Sequence, residues 1–192
     1  FSLTALEICE GQQMDMEFEQ RNDVTAEEYL EMIRLKTAVL LAASLKIGAR
    51  LGGASVEDAD RLYDFGMHIG VAFQLKDDLL DVYGNAKVFG KNIGGDILCN
   101  KKTYMLIKAL EHANADQHNQ LNSWINAETF QPAEKIAAVT ELYDRIGVKA
   151  VCENKILEYS NRAMESLAAV SIAEEKKEEL KKIIENLIHR EV

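Results

Sequence analysis

A chain of 192 residues that is 47% apolar can bury one substantial core, and a single proline with 11 glycines favours long helices over strands and turns. A formal charge of −10, from 32 acidic and 22 basic residues, repels a phosphodiester backbone or an anionic membrane surface and argues against nucleic acid as a partner. Three cysteines (Cys9, Cys99, Cys152) without metal-binding spacing argue against a disulfide framework or zinc site, and no apolar run approaches the roughly 18–20 residues that span a bilayer.

The expectation is one all-α domain over residues 1–192, soluble and cytoplasmic. The sequence opens at Phe1, inside an amphipathic stretch with no capping signal before it, so it reads as the C-terminal part of a longer protein. Leu3, Leu6, Met14 and Phe18 predict a first helix over about 1–20, weakened in its middle by Gly11. Thr25 followed by Glu28 is a capping box that opens a second helix ending near Leu51-Gly52-Gly53. Ser55 with Asp58 repeats that signature, and Leu62, Phe65, Ile69, Ala72, Leu75 and Leu79 carry a long third helix to Val82.

Gly84 to Asn100 breaks the periodicity with glycines and asparagines, which predicts a polar loop. Helices are expected again at about Lys101–His118, Pro132–Ile146, Val148–Leu167 and Ser171–Arg190. Pro132 stands near a start, Gly147 at a break, and Ser171 with Glu174 forms another capping box. The Glu174–Lys182 charges read as a solvated face laced with i,i+4 pairs.

Chemistry concentrates at the end of the third helix, in Phe73-Gln74-Leu75-Lys76-Asp77-Asp78-Leu79-Leu80-Asp81. Asp77 and Asp81 are four apart and share a face, with Asp78 beside them, so three carboxylates are expected to converge. Clustered acids destabilise a helix unless a cation lies between them, and a hard divalent ion with oxygen ligands is the natural candidate. A bare DDxxD also arises on wet helix surfaces. Here the helix around it is apolar, and the next segment brings cations at Lys91 and Lys101-Lys102, which suits a diphosphate held between acids and lysines through Mg²⁺. Lys36, taken alone, reads as a lysine whose stem lies along an apolar surface.

Taken together, Gly11-Gln12-Gln13-Met14-Asp15, Lys36-Thr37, Phe73-Gln74-x-x-Asp77-Asp78-x-x-Asp81, Gly90-Lys91-Asn92-Ile93-Gly94-Gly95-Asp96 and Asn100-Lys101-Lys102-Thr103-Tyr104 resemble the C-terminal part of the trans-isoprenyl diphosphate synthases. The resemblance covers nearly the whole chain. It implies an isoprenoid-synthase helical bundle, truncated at its N-terminus, that condenses an allylic diphosphate with isopentenyl diphosphate as a homodimer. It also implies roles: Asp77, Asp78 and Asp81 as magnesium ligands; Lys36, Lys91 and Lys101 as holders of the allylic diphosphate; Thr37 and Gln74 beside the leaving group and the carbocation; Gln12, Asp15 and Phe73 lining the cavity.

The first aspartate-rich motif of that family and its upstream basic residues are not in these 192 residues, so the chain by itself is expected to be inactive. The alternative is a non-catalytic regulatory subunit of a heteromeric synthase. A terpene cyclase shares the ionisation chemistry, but the combination of Lys-Thr, Phe-Gln-x-x-Asp-Asp and Asn-Lys-Lys-Thr-Tyr resembles a chain elongator. A carboxylate-bridged di-metal bundle would need Glu-x-x-His pairs, and the sequence has none. Histidines 68, 112, 118 and 189 are scattered and receive no role.

Overall fold

The structure, a computed structural model, describes residues 1–84 and 93–188, and every regular element among them is helical. Helix α1 runs Ser2–Phe18. Thr25 then caps α2 (Ala26–Ile33): its hydroxyl accepts from the Glu28 N–H at 3.2 Å, while the Glu28 carboxylate accepts from the Thr25 N–H at 2.9 Å. Without a break in the chain, α2 widens into a π segment, Arg34–Ala38, and continues as α3, Val39–Leu51. The predicted second helix is therefore one rod with a π-bulge, a feature that recurs at functional sites and here contains Lys36 and Thr37.

Helix α4, Val56–Tyr83, starts at Ser55, whose Oγ accepts from the Asp58 N–H at 3.0 Å. Its 28 residues make a rod about 42 Å long. One side packs on the π segment and α3, the other on α9 (Val148–Ala168). The first contact is backbone to backbone. A β-carbon at Gly66 would lie 2.7 Å from the Ala42 Cα, and one at Gly70 would lie 2.6 Å from the Ala38 Cα. Phe65, Ile69, Ala72, Leu75 and Leu79 complete the buried face of α4.

The expected loop from Gly84 to Asn100 needs correction at its far end. Residues 85–92, which include Lys91, lie outside the described residues, but Gly95–Leu98 forms a one-turn helix, α5. It follows Gly94, left-handed at φ 83°, and the Gly94 N–H donates to the Asp81 carbonyl at 2.6 Å, which returns the chain to the end of α4.

The helix expected over Lys101–His118 is two. Thr103 caps α6 (Tyr104–His112), and Asn114 with Gln117 forms a capping box that opens α7 (Ala115–Ile125). Pro132–Ile146 forms α8 as predicted, with the proline in the first turn and left-handed Gly147 at its end. Ser171 and Glu174 do not form a capping box. The Ser171 N–H donates to the Asp58 carboxylate at 2.9 Å, tying the chain back to the start of α4, and Glu174 accepts from Lys177 and Lys181 instead. A 3₁₀ turn, Glu174–Lys176, precedes α10, Glu178–Ile188.

The helix crossing predicts opposite outcomes for two glycines. Gly70→Ala should destabilise by about 1–3 kcal/mol because the atoms opposing its β-carbon belong to a backbone that cannot turn aside. Gly48→Ala, in α3 with nothing within 4 Å of its β-carbon, should stabilise by up to about 1 kcal/mol through helix propensity. Urea unfolding of both variants checks this; equal effects would refute the close-contact account.

Candidate active site

The C-terminal third of α4 organises the site. Gln74 lies one turn before Asp78, and between them they link the π segment to α2. The Thr37 hydroxyl donates to Gln74 Oε1 at 3.3 Å, and Gln74 Nε2 donates to Asp78 Oδ1 at 3.2 Å. The Tyr29 hydroxyl donates to Asp78 Oδ2.

Asp78 is only 3% exposed, and burial raises its pKa to about 7 against the opposing pull of the Tyr29 hydrogen bond. The expected convergence of three carboxylates is corrected accordingly. Asp78 turns into the core toward Tyr29, while Asp77 and Asp81 remain partly exposed, and among the described residues no three Asp, Glu, His or Cys groups lie close enough to hold a metal ion by themselves. The reason is the helix itself, because residue 78 sits about 100° round the axis from residue 77.

Asp81 faces the turn that enters α5: its Oδ2 accepts from the Asp96 N–H at 2.9 Å. Asp96 in turn faces Lys101, with Nζ and carboxylate oxygen 3.9 Å apart. Burial raises the Asp96 pKa; Lys101 opposes this, and Asp81, Asp77 and Asp15 add to it. Burial alone would lower the Lys101 pKa, but the carboxylates of Asp96, Asp78, Asp15 and Asp77 outweigh it and hold that pKa above the ordinary lysine value. Acids from α1, α4 and α5 thus share one electrostatic field.

Lys36 belongs to the same field through Asp15 of α1, whose Oδ2 lies 2.6 Å from Lys36 Nζ. Gln12 is exposed on α1. A cleft of about 590 Å³ opens beside these groups and is lined by Asp15, Phe18, Asp96, Lys101 and Lys102 among others. Phe73, 42% exposed, lies one turn before Asp77 on the same face of α4 and lines an apolar hollow of about 300 Å³ with Leu41, Ile69, Ile183 and Leu187.

Asp77 and Asp81 offer hard oxygen donors on one helix face, too few for a closed protein cage. That donor set fits Mg²⁺, which usually takes one or two carboxylates and completes its shell with water and substrate phosphate. Two residues of this arrangement carried no assigned role in the sequence reading. Tyr29 gives no local signal because its partner is 49 positions away. Asp96 had one, as an acid directly after two glycines and five residues before Lys101.

Comparison with known proteins bears on the same residues. The pattern of the polyprenyl synthetase family matches residues 1–143. A short chain isoprenyl diphosphate synthase from Methanothermobacter thermautotrophicus is 38% identical over 188 residues, which cover 98% of this chain and 57% of that protein. A crystal structure of a geranylgeranyl pyrophosphate synthase superimposes with a TM-score of 0.93 at 39% identity, covering 100% of this chain and 60% of the other. The Corynebacterium glutamicum geranylgeranyl pyrophosphate synthase, solved with isoprenyl diphosphate and magnesium, gives 0.88 at 30% identity over 97% of this chain and 53% of that one. The chain spans less than two thirds of the length of these relatives. A family match over most of its length, on the fold described above, means that the chain belongs to the polyprenyl synthetase family.

Proposed function

We propose that the intact protein is a magnesium-dependent prenyltransferase that condenses an allylic diphosphate with isopentenyl diphosphate to give a longer all-trans prenyl diphosphate. The observation that carries this reading is the junction on α4, where the acids and lysines around Asp77, Asp81, Asp96 and Lys101 give way within one turn to the apolar hollow lined by Phe73. A substrate with a diphosphate head and a hydrocarbon tail has that polarity.

In this reading Asp77 and Asp81 hold magnesium, with Asp78 supporting them through its hydrogen bonds rather than as a direct ligand. Magnesium supplies positive charge against the negative charge that develops on the departing diphosphate. Lys36 and Lys101, with Lys91, bind the diphosphate. Thr37 and Gln74 lie beside the cation and the diphosphate, with Gln74 fixed between Thr37 and Asp78 so that its dipole does not reorganise as charge moves. Phe73 and its apolar neighbours exclude water from the carbocation. Gln12 and Asp15 line the approach from α1. The protein would act as a homodimer in the cytoplasm; its three free cysteines suit a reducing compartment, and no helix among the described residues is long and apolar enough to cross a membrane.

The 192 residues carry one DDxxD motif, at Asp77-Asp78-x-x-Asp81, where the family resemblance implies a second one facing it, so in this reading they hold one side of a two-sided metal clamp. Supplied with Mg²⁺, labelled isopentenyl diphosphate and allylic primers of increasing length, the intact protein should form a prenyl product whose length chromatography reads. Asp77→Ala should lower kcat by roughly 10²–10³-fold, the usual cost of removing a group that stabilises transition-state charge. A chelator should abolish turnover and added Mg²⁺ restore it. No product from any primer would replace this reading with that of a non-catalytic subunit. The 192-residue chain alone should give no product above a no-protein control, and turnover by it would refute the one-sided clamp.

A further inference from the structure

Lys135, in the first turn of α8, is 1% exposed, and among the described residues its ammonium pairs with no carboxylate. Its Nζ donates to Asn100 Oδ1 at 2.7 Å and to the Leu98 carbonyl at 3.5 Å, and it lies 4.2 Å from the centre of the Phe130 ring. Burial lowers its pKa below the ordinary lysine value. An ammonium taken from water without a counter-charge is costly, and a methionine of similar length would fill the same space at less cost. What the ammonium adds is its pair of hydrogen bonds, and both end on the segment that leads into Lys101.

That segment is conformationally special. Asn100 is the only non-glycine among the described residues with a positive φ, at 53°. Its side chain is gripped from two directions: Oδ1 accepts from Lys135, and Nδ2 donates to the Ile125 carbonyl at the end of α7 at 2.9 Å. The next residue, Lys101, donates its backbone N–H to the Asp96 carbonyl at 2.9 Å and sets its ammonium 3.9 Å from the Asp96 carboxylate. The left-handed turn at Asn100 therefore decides where Lys101 stands relative to Asp96 and Asp81.

We propose that Lys135 is a positioning residue for diphosphate binding, clamping Asn100 in its left-handed turn and so fixing Lys101 and Asp96 at the cleft. This rests on the proposed function for the identity of the bound group. Lys135 acts on the bound group through the segment that leads into Lys101, chiefly through its 2.7 Å bond to Asn100 rather than the 3.5 Å contact with Leu98, and its effect is on the register of the lysine, where a displacement near 1 Å is enough to matter.

The test uses the intact protein with Lys135→Met, which keeps the stem and removes the ammonium, and Asn100→Gly, which keeps the left-handed backbone and removes the clamp. Calorimetric titration with inorganic pyrophosphate and Mg²⁺ should show each variant binding about tenfold more weakly, the loss expected for one charge-assisted hydrogen bond. The double variant should bind no more weakly than the weaker single one, because both changes break one linkage. KM for the allylic diphosphate should rise about as much, with KM for isopentenyl diphosphate unchanged.

Additive losses in the double variant, or a lowered melting temperature with unchanged pyrophosphate affinity, would overturn the proposal. If Lys135→Met does not fold, the outcome with Asn100→Gly decides. Normal turnover and normal pyrophosphate affinity in both variants would remove the positioning role and leave the synthase reading intact. Pyrophosphate binding that weakens as expected in a protein that makes no product would do the reverse, and a wild-type protein that binds no pyrophosphate with Mg²⁺ would overturn both.

Discussion

Helix α4 meets the π segment with no side chain of its own at the crossing, since a β-carbon at Gly70 would lie 2.6 Å from the Ala38 Cα. On the π segment's other side, a β-carbon at Gly11 of α1 would lie 2.4 Å from the Lys36 nitrogen. The bulge is thus gripped by glycines from two helices. Its consecutive polar residues address different partners, Lys36 reaching Asp15 on α1 and Thr37 reaching Gln74 on α4. Widening either contact by a methyl group would move one of these side chains relative to the other. The cost would fall on the hydrogen bond from Thr37 to Gln74, which at 3.3 Å has little length to spare.

A second constraint is the buried end of the acid motif. Burying a carboxylate is unfavourable unless its oxygens find donors, and Asp78 finds them in Tyr29 and Gln74. The motif therefore divides between two tasks along the helix. Asp78 anchors α4 to α2 and orients Gln74, while Asp77 and Asp81 remain partly exposed. Asp81 adds a further task, because its backbone carbonyl and carboxylate hold the N–H groups of Gly94 and Asp96. The end of α4 thus sets the course of the chain into α5, and the clamp on Asn100 sets its course out of it.

The sequence made the helices legible wherever a capping residue and an apolar period agreed, as at Thr25, Ser55 and Pro132. It misled where the same letters had a distant partner. Ser171 looked like a cap, but its N–H and hydroxyl meet Asp58 and Arg61, more than a hundred residues earlier. Asn114 with Gln117 is a true capping box that a continuing polar-apolar pattern disguised as helix interior. Lys36, Thr37 and Gln74 stood out only through the family resemblance, while the shared helix face of Asp77 and Asp81 was legible from their spacing. The inward turn of Asp78 was not, since nothing local to residue 78 reveals a tyrosine 49 positions earlier. The π-bulge was equally hidden, since the glycines packed against it, Gly11 and Gly70, belong to other helices.

The charges around the cleft carry one further step of argument. Asp15, Asp77, Asp81 and Asp96 lie around a cleft that also holds Lys101 and Lys102, and Asp15 is already paired to Lys36, so among these described groups carboxylates outnumber ammonium groups. A diphosphate would add more negative charge to it. At separations near 4 Å, like charges repel by about 1 kcal/mol even in bulk water, and by more where the surroundings are less polar. Burial raises the Asp96 pKa, and the neighbouring Asp81, Asp77 and Asp15 add to it. Under the proposed reading, a cation that accompanies the diphosphate would relieve that repulsion. In that reading Asp77 and Asp81 would be the seat for a metal–diphosphate pair, and the lysines its guides.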